Sequence, residues 1–171
     1  MACSITVSGR SFPCKDKIGG IKRVWIKAFD AADWGSITSG VIAAGAAITV
    51  YGFELTKNSG SFQQTVTASV ENGTVFFSQV LELTMPNLGA TDNEEIYDLL
   101  KSRLAVIIQD NNDNYMLMGH TTGAEATGGT VGTGTAKGDL NGYQIQLTAE
   151  EAIPAPFVSS SDANITFTAG S

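Results

Sequence analysis

Residues 61–84 read SFQQTVTASVENGTVFFSQVLELT, and their alternation settles the fold class. Phe62, Val66, Ala68 and Val70 alternate with Gln63, Thr65, Thr67 and Ser69, the period of a strand with one face buried. Glu71-Asn72-Gly73-Thr74 follows, and Asn-Gly suits the left-handed backbone of a two-residue type I′ turn. Val75, Phe77, Leu81 and Leu83 then return along one face. The spacing predicts a β-hairpin, and the rest of the chain is read outward from it.

Upstream, Lys22 to Phe29 reads as a strand with Val24, Ile26 and Ala28 on one face and Trp25, Lys27 and Phe29 on the other. Ala46 to Leu55 is a second strand, and residues 30–45 between them form a loop or flap. Downstream, Thr91 with Glu94, or Asp92 with Glu95, provides a capping arrangement for a helix over about residues 92–103. Ile96, Leu99, Leu100 and Leu104 supply its apolar stripe, with Lys101 and Arg103 at its negative end. Leu104 to Ile108 is a short continuous apolar run, the mark of a buried strand. Asp110 to Asn114 is a turn, Tyr115 to Gly119 leads back, and residues 119–138, rich in glycine and threonine, form a long loop or weak hairpin. Tyr143, Ile145 and Leu147 alternate with Gln144, Gln146 and Thr148 as another strand, Pro154 and Pro156 break the chain, and Asn164 to Thr168 adds an edge strand. The expected architecture is mostly β, an antiparallel β-sandwich or barrel with one flanking α-helix. An irregular, extended arm spans residues 1–20, the sandwich domain residues 21–158, and a C-terminal edge segment residues 159–171.

With 171 residues the chain suits one domain around one core. Residues 1–30 hold six of the ten basic groups against Asp16 and Asp30, giving +4, so the remainder of a chain of net charge −7 carries −11. A nucleic-acid binder usually shows a basic surface, and this body shows the opposite. A positive arm on a negative body lets one copy dock on the next; the plainer explanation is that Lys and Arg flank a strand in solvent. The start of the chain lacks the charged region and apolar run of a signal peptide, and Cys3 and Cys14 are expected as free thiols. Trp34 to Phe53 is twenty residues without a charge. Its glycines, serines and threonines nevertheless favour a loop and a buried strand over a membrane-spanning helix.

The patterns that would carry chemistry each fail at a named residue. Asp110, Asn112 and Asn114 resemble the start of a calcium loop, but Tyr115 stands where glycine is required and Thr121 where glutamate is. In Gly128 to Gly138, Lys137 follows Ala136 and precedes Gly138-Asp139, unlike the Gly-Lys-Ser/Thr end of a phosphate loop. His120 is the one histidine, and neither Asp113 nor Asp139 joins it to a recognisable nucleophile signature. Cys3, Cys14 and His120 lack zinc spacing. No cofactor, metal or catalytic residue is expected, and the chain reads as non-enzymatic. Trp34 sits in a flap whose neighbours Ile37, Val41 and Ile42 have no evident intrachain role, so burial by a partner is one reading and folding back on the chain's own sheet is the other. The candidate oligomer interface is therefore Trp34, Ile37, Val41 and Ile42 with the basic residues Arg10, Lys15, Lys17 and Lys137.

The order hairpin, helix Thr91–Arg103, then Leu104 to Asp110 and Tyr115 to Gly119 resembles the tail-tube fold of tailed phages. The stretch Gly134 to Tyr143, its polar-alternating strand, and Pro154-Ala155-Pro156 are similar to tail or neck ring proteins of Bacteroidetes phages, including crAss-like ones. The resemblance covers roughly residues 20 to 158 and brings no catalytic residues. It implies a virion structural protein, made in the bacterial host cytoplasm. Copies would join into a hexameric or higher ring of the tail tube or neck, beside other tail or neck proteins. DNA would pass transiently through a lumen lined by Glu and Asp, with no membrane span. The competing expectation is a β-sandwich receptor- or glycan-binding module, for which Tyr51, Tyr115 and Tyr143 would supply the aromatics.

Overall fold

The computed structural model describes residue 9 and residues 15–169, so Arg10 and most of the expected arm lie outside the described residues. The chain is mostly β with one flanking helix. It runs β1 (Ile21–Ala28), β2 (Trp34–Thr38), β3 (Val41–Ala44), β4 (Ile48–Glu54), β5 (Gly60–Ser69), β6 (Thr74–Pro86), α1 (Ala90–Lys101), β7 (Leu104–Asp110), β8 (Tyr115–Met118), β9 (Glu125–Gly132), β10 (Gly142–Glu151), β11 (Phe157–Val158) and β12 (Ile165–Phe167). Eight strands form one sheet in the order β12-β4-β1-β7-β8-β11-β3-β2, and four form a second in the order β5-β6-β10-β9. Most pairings are antiparallel, but β11 lies parallel to β3 and β12 parallel to β4.

Two apolar clusters follow from the pleat. Val24 and Ile26 of β1, with Leu104, Val106 and Ile108 of β7, face Leu81, Leu83, Ile145 and Leu147 across the two sheets. Their neighbours Trp25, Ala105 and Ile107 point the other way, into a second cluster with Trp34, Ile42, Val50 and Ile165. Leu104 to Ile108 is thus buried on both faces, which is why that stretch carries an unbroken apolar run rather than an alternation. The large sheet curls around the second cluster. Asp162 and Asn164 close the curl, Asp162 Oδ2 accepting from the Ala44 amide at 2.8 Å and Asn164 Nδ2 donating to the Ala44 carbonyl at 3.3 Å.

Residues 30–45, expected as a flap, form the β2–β3 hairpin at the end of that sheet. Thr38 pairs with Val41, and both intervening residues, Ser39 (φ 54°) and Gly40 (φ 80°), are left-handed, as a two-residue type I′ turn requires. The Asn72-Gly73 turn differs from expectation. Ser69 pairs with Thr74, so the connection is the four-residue loop Val70–Gly73, in which Gly73 has φ 62° and Asn72 is not left-handed. A longer loop needs only one left-handed residue, and glycine adopts it without a steric cost.

The helix begins at Ala90 after Gly89, so neither Thr91 nor Asp92 is its cap; Gly89 makes no side-chain capping bond. It ends at Lys101, and Leu104 belongs to β7, because the chain must turn there to enter the sheet. Ile96 is its fully buried residue, Leu99 is half-buried, and Leu100 is exposed. Residues 119–138, expected as a loop or weak hairpin, contain β9, which pairs with β10 from Gly132↔Gly142 to Glu125↔Thr148; the loop proper is residues 133–141.

Candidate assembly surface

The expected interface residues do not form one surface. Trp34 is 8 % exposed and Ile42 is 0 % exposed, both within the chain's own second core, and Ile37 packs partly against it. The flap therefore folds back on its own sheet, and of these four side chains only Val41, 43 % exposed, faces outward to a substantial degree. Lys15 and Lys17 are exposed ahead of β1, while Lys137 lies exposed in the 133–141 loop, beyond the other sheet.

A surface suited to assembly is built instead by the four-stranded sheet. Both its edges, β5 of ten residues and β9 of eight, lack a strand neighbour on their outer sides among the described residues. Unpaired backbone N–H and C=O groups along such edges are templates for another chain. The β5–β6 hairpin also outruns the sandwich. β10 stops at Glu151 opposite Phe77, so the ladder from Thr67↔Phe76 to Ser69↔Thr74 has no third strand. The apolar alternation continues into this overhang without an opposing sheet, leaving Val70 97 % and Val75 56 % exposed, with Val66 at its base 57 % exposed.

The outward face of this sheet is polar. Gln144 pairs with Thr84 and Thr130, Gln146 with Glu82, and Glu150 with Ser78, all opposite in pleat to the buried Ile145 and Leu147. Gln146 Nε2 donates to Glu82 Oε1 at 3.4 Å, and Thr130 Oγ1 donates to Gln144 Oε1 at 3.2 Å. The ionisable groups of the strands on this face are Glu82, Glu150 and Glu125, which lies opposite Thr148 and is bridged by Arg103 Nε at 3.1 Å; the four strands carry no Lys or Arg.

Elsewhere, polar clusters spend their hydrogen bonds on the fold. Asp110 Oδ1 accepts from the amides of Asn112 and Asn114, each at 2.8 Å, while Oδ2 accepts from the two side-chain amides. Partial burial pushes the Asp110 carboxyl upward, but the bonds from Asn114 and Asn112 outweigh it and hold it below its ordinary range. Asp113 is likewise lowered, by Lys22 Nζ at 3.1 Å and by Gln109. The same turn grips the base of the arm. Asn112 Oδ1 accepts from the Ile18 amide, its Nδ2 donates to the Ile18 carbonyl, and Asn111 Nδ2 donates to the Gly19 carbonyl. Asp139 accepts from the amides of Ala136 and Thr135, which lower its carboxyl in that order of effect. His120 has Nδ1 at 3.0 Å from Thr121 Oγ1, while Asp113 and Asp139 are both engaged with other partners.

Glu151 is buried beside this loop. Its Oε1 accepts from the amides of Thr121 and Thr122 and from Thr122 Oγ1 at 2.9–3.1 Å, which orders the bend between β8 and β9. The three tyrosines lie apart in environment. Tyr143 is buried, Tyr115 stacks on Trp25 with centroids 5.8 Å apart, and Tyr51 is exposed. Among the described residues no helix is long and apolar enough to cross a membrane.

The sheet edges and the overhanging tip escaped sequence reading, although the alternation running through Val66, Ala68 and Val70 carried the signal. No protein-family model matches the chain, and no curated protein or solved structure shows significant similarity to it.

Proposed function

We propose that the protein is a non-catalytic virion subunit that closes into a ring of a phage tail tube or head–tail neck, with the polar face of the four-stranded sheet turned to the lumen. The observation that carries it is that sheet, with its two open edges, strands without Lys or Arg, and overhanging hairpin. The sheet runs β5-β6-β10-β9 with every neighbour antiparallel, so its two edges point in opposite directions. Copies related by rotation about an axis along the strands bring β9 of one beside β5 of the next as an antiparallel pair. A repeated head-to-tail contact of this kind closes into a ring when its rotation divides the circle. The exposed valines of the hairpin tip gain burial against the neighbour; full burial of each contributes roughly 1.5–3 kcal/mol.

A lumen presenting amides, hydroxyls, Glu82 and Glu150, with Arg103 already paired to Glu125, offers no unpaired cation from its strands to exchange for the counterions of DNA, so the duplex passes without being held. Light scattering and negative-stain microscopy of the full-length protein test the proposal. Rings, stacks or tubes are expected, and Val70→Asp should retain the wild-type melting curve while weakening assembly at least about tenfold, the effect of ~1.4 kcal/mol. A wild-type chain that stays monomeric at high concentration overturns it.

A further inference from the structure

We infer that the groove between α1 and the β1–β4 edge receives the basic arm, residues 1–17, of a second copy. This rests on the self-assembly reading and names a contact site that the ring edges do not use. The groove, about 910 Å³, has an apolar floor of Ile26, Phe53, Met85, Ile96 and Leu99. One wall is the free side of β4. β12 pairs with β4 only from Ile48 to Val50; Thr168 still lies against Gly52, and beyond it no described strand flanks Phe53 and Glu54 on that side. An extended segment entering here finds backbone partners as well as apolar surface.

The opposite wall is acidic. Asp92, Glu95 and Asp98 of α1 all line the groove, and among the described residues none of the three is in a salt bridge. Carboxylates three residues apart repel one another, and Asp98 lies in the last turn, where the helix dipole disfavours an anion. Among the described residues no cation pairs with these charges, and Lys101 of the same helix lies over the Tyr97 ring. The facing groups on the strand side are Lys27, which bridges to Asp33, and Glu54, which bridges to Arg23, so neither cation is spare. The arm is the complement. Arg10, Lys15 and Lys17 stand against the single acid Asp16, and Ser4-Ile5-Thr6-Val7-Ser8 alternates polar with apolar residues in the manner of an added strand.

The arm is long enough to reach another copy. Its base is held at the Ile21 end of β1 by Asn111 and Asn112. The groove runs along that strand, from Ala28 at its far end to Glu54, which pairs with Arg23, and Thr56 beyond it. Seventeen extended residues reach up to about 55 Å, enough to cross into the next copy.

The native cysteines of the arm, Cys3 and Cys14, make the contact measurable in full-length protein. An acceptor carrying Cys3→Ser, Cys14→Ser and Glu95→Cys is mixed with a size-tagged donor retaining both cysteines, then mildly oxidised. Glu95 is exposed, so an unchanged circular dichroism melt verifies the acceptor's fold. A donor–acceptor disulfide should form at least tenfold above the same acceptor bearing Gln144→Cys in place of Glu95→Cys. Asp92→Lys with Asp98→Lys in the acceptor should lower the yield about tenfold, and Lys15→Glu with Lys17→Glu in the donor should restore it. Yield no greater than the Gln144→Cys control overturns the inference. So does cross-linking confined to one chain when Glu95→Cys is placed in a molecule keeping Cys3 and Cys14. Rings without the cross-link would remove the arm contact and leave the ring; the cross-link without rings would do the reverse.

Discussion

Glu151 shows how one buried acid organises a segment that is otherwise glycine and threonine. Three donors from Thr121 and Thr122 converge on its Oε1. Glu151→Ala would strand those donors and should lower stability by about 2–3 kcal/mol. Glu151→Gln retains an acceptor and should cost less, and urea denaturation of both variants checks the order. At the surface, Asp110, Asp113 and Asp139 all have folded-state values below the ordinary one. Their contribution to stability is therefore complete above an unfolded Asp pKa of about 3.9 and is lost as pH falls through the lower folded values. The Asp110–Asn114 turn and the 133–141 loop should loosen together in that acid range. An NMR titration following the Asn114 and Ala136 amides should give midpoints below that of an unfolded Asp peptide. The turn at Asp110 to Asn114 was legible in sequence, but the role of each carboxylate within it was not. Only the geometry shows its oxygens occupied by the turn's own amides.

Among the elements, α1 is held by a narrow contact. Ile96 is its one fully buried side chain, and Ile96→Ala should cost about 2–4 kcal/mol from lost burial and the cavity left behind. Leu100 lies on the exposed side, and Leu100→Ala should stay within about 0.5 kcal/mol; thermal denaturation of the two variants separates them. The start of β10 is intolerant for a different reason. A Cβ on Gly142 would stand 2.2 Å from the Met85 carbonyl oxygen, so the strands come too close there for alanine. The helix was legible from Ile96 and Leu99, but its boundaries were not. Acids two residues inside the first turn mimic a cap, and Leu104 fits a helical stripe equally well as the first residue of a strand.

For the whole molecule, the decisive feature is which surfaces stay open once both cores are filled. If the outer face of the four-stranded sheet lines a channel, the absence of Lys and Arg from its strands sets how DNA behaves. Rings carrying Glu82→Lys and Glu150→Lys should retain duplex DNA in a gel-shift assay at low salt and release it as salt rises, while wild-type rings should not retain it. Retention by wild-type rings would place a different face in the lumen.

The sequence by itself determined the mostly-β class, the β5–β6 hairpin, the doubly buried β7 and the single helix. In each, hydrophobic spacing is local and periodic. Tertiary structure alone decided that Trp34 and Ile42 pack inward. Their destination is a cavity made by strands distant in sequence, and no local pattern distinguishes that from a partner's surface. It also decided that Glu125–Gly132 is a strand. Glycine and threonine there carry little preference of their own, and the conformation comes from the ladder with β10. The open edges, the overhanging tip and the acidic groove have the same origin: each is defined by where another element stops.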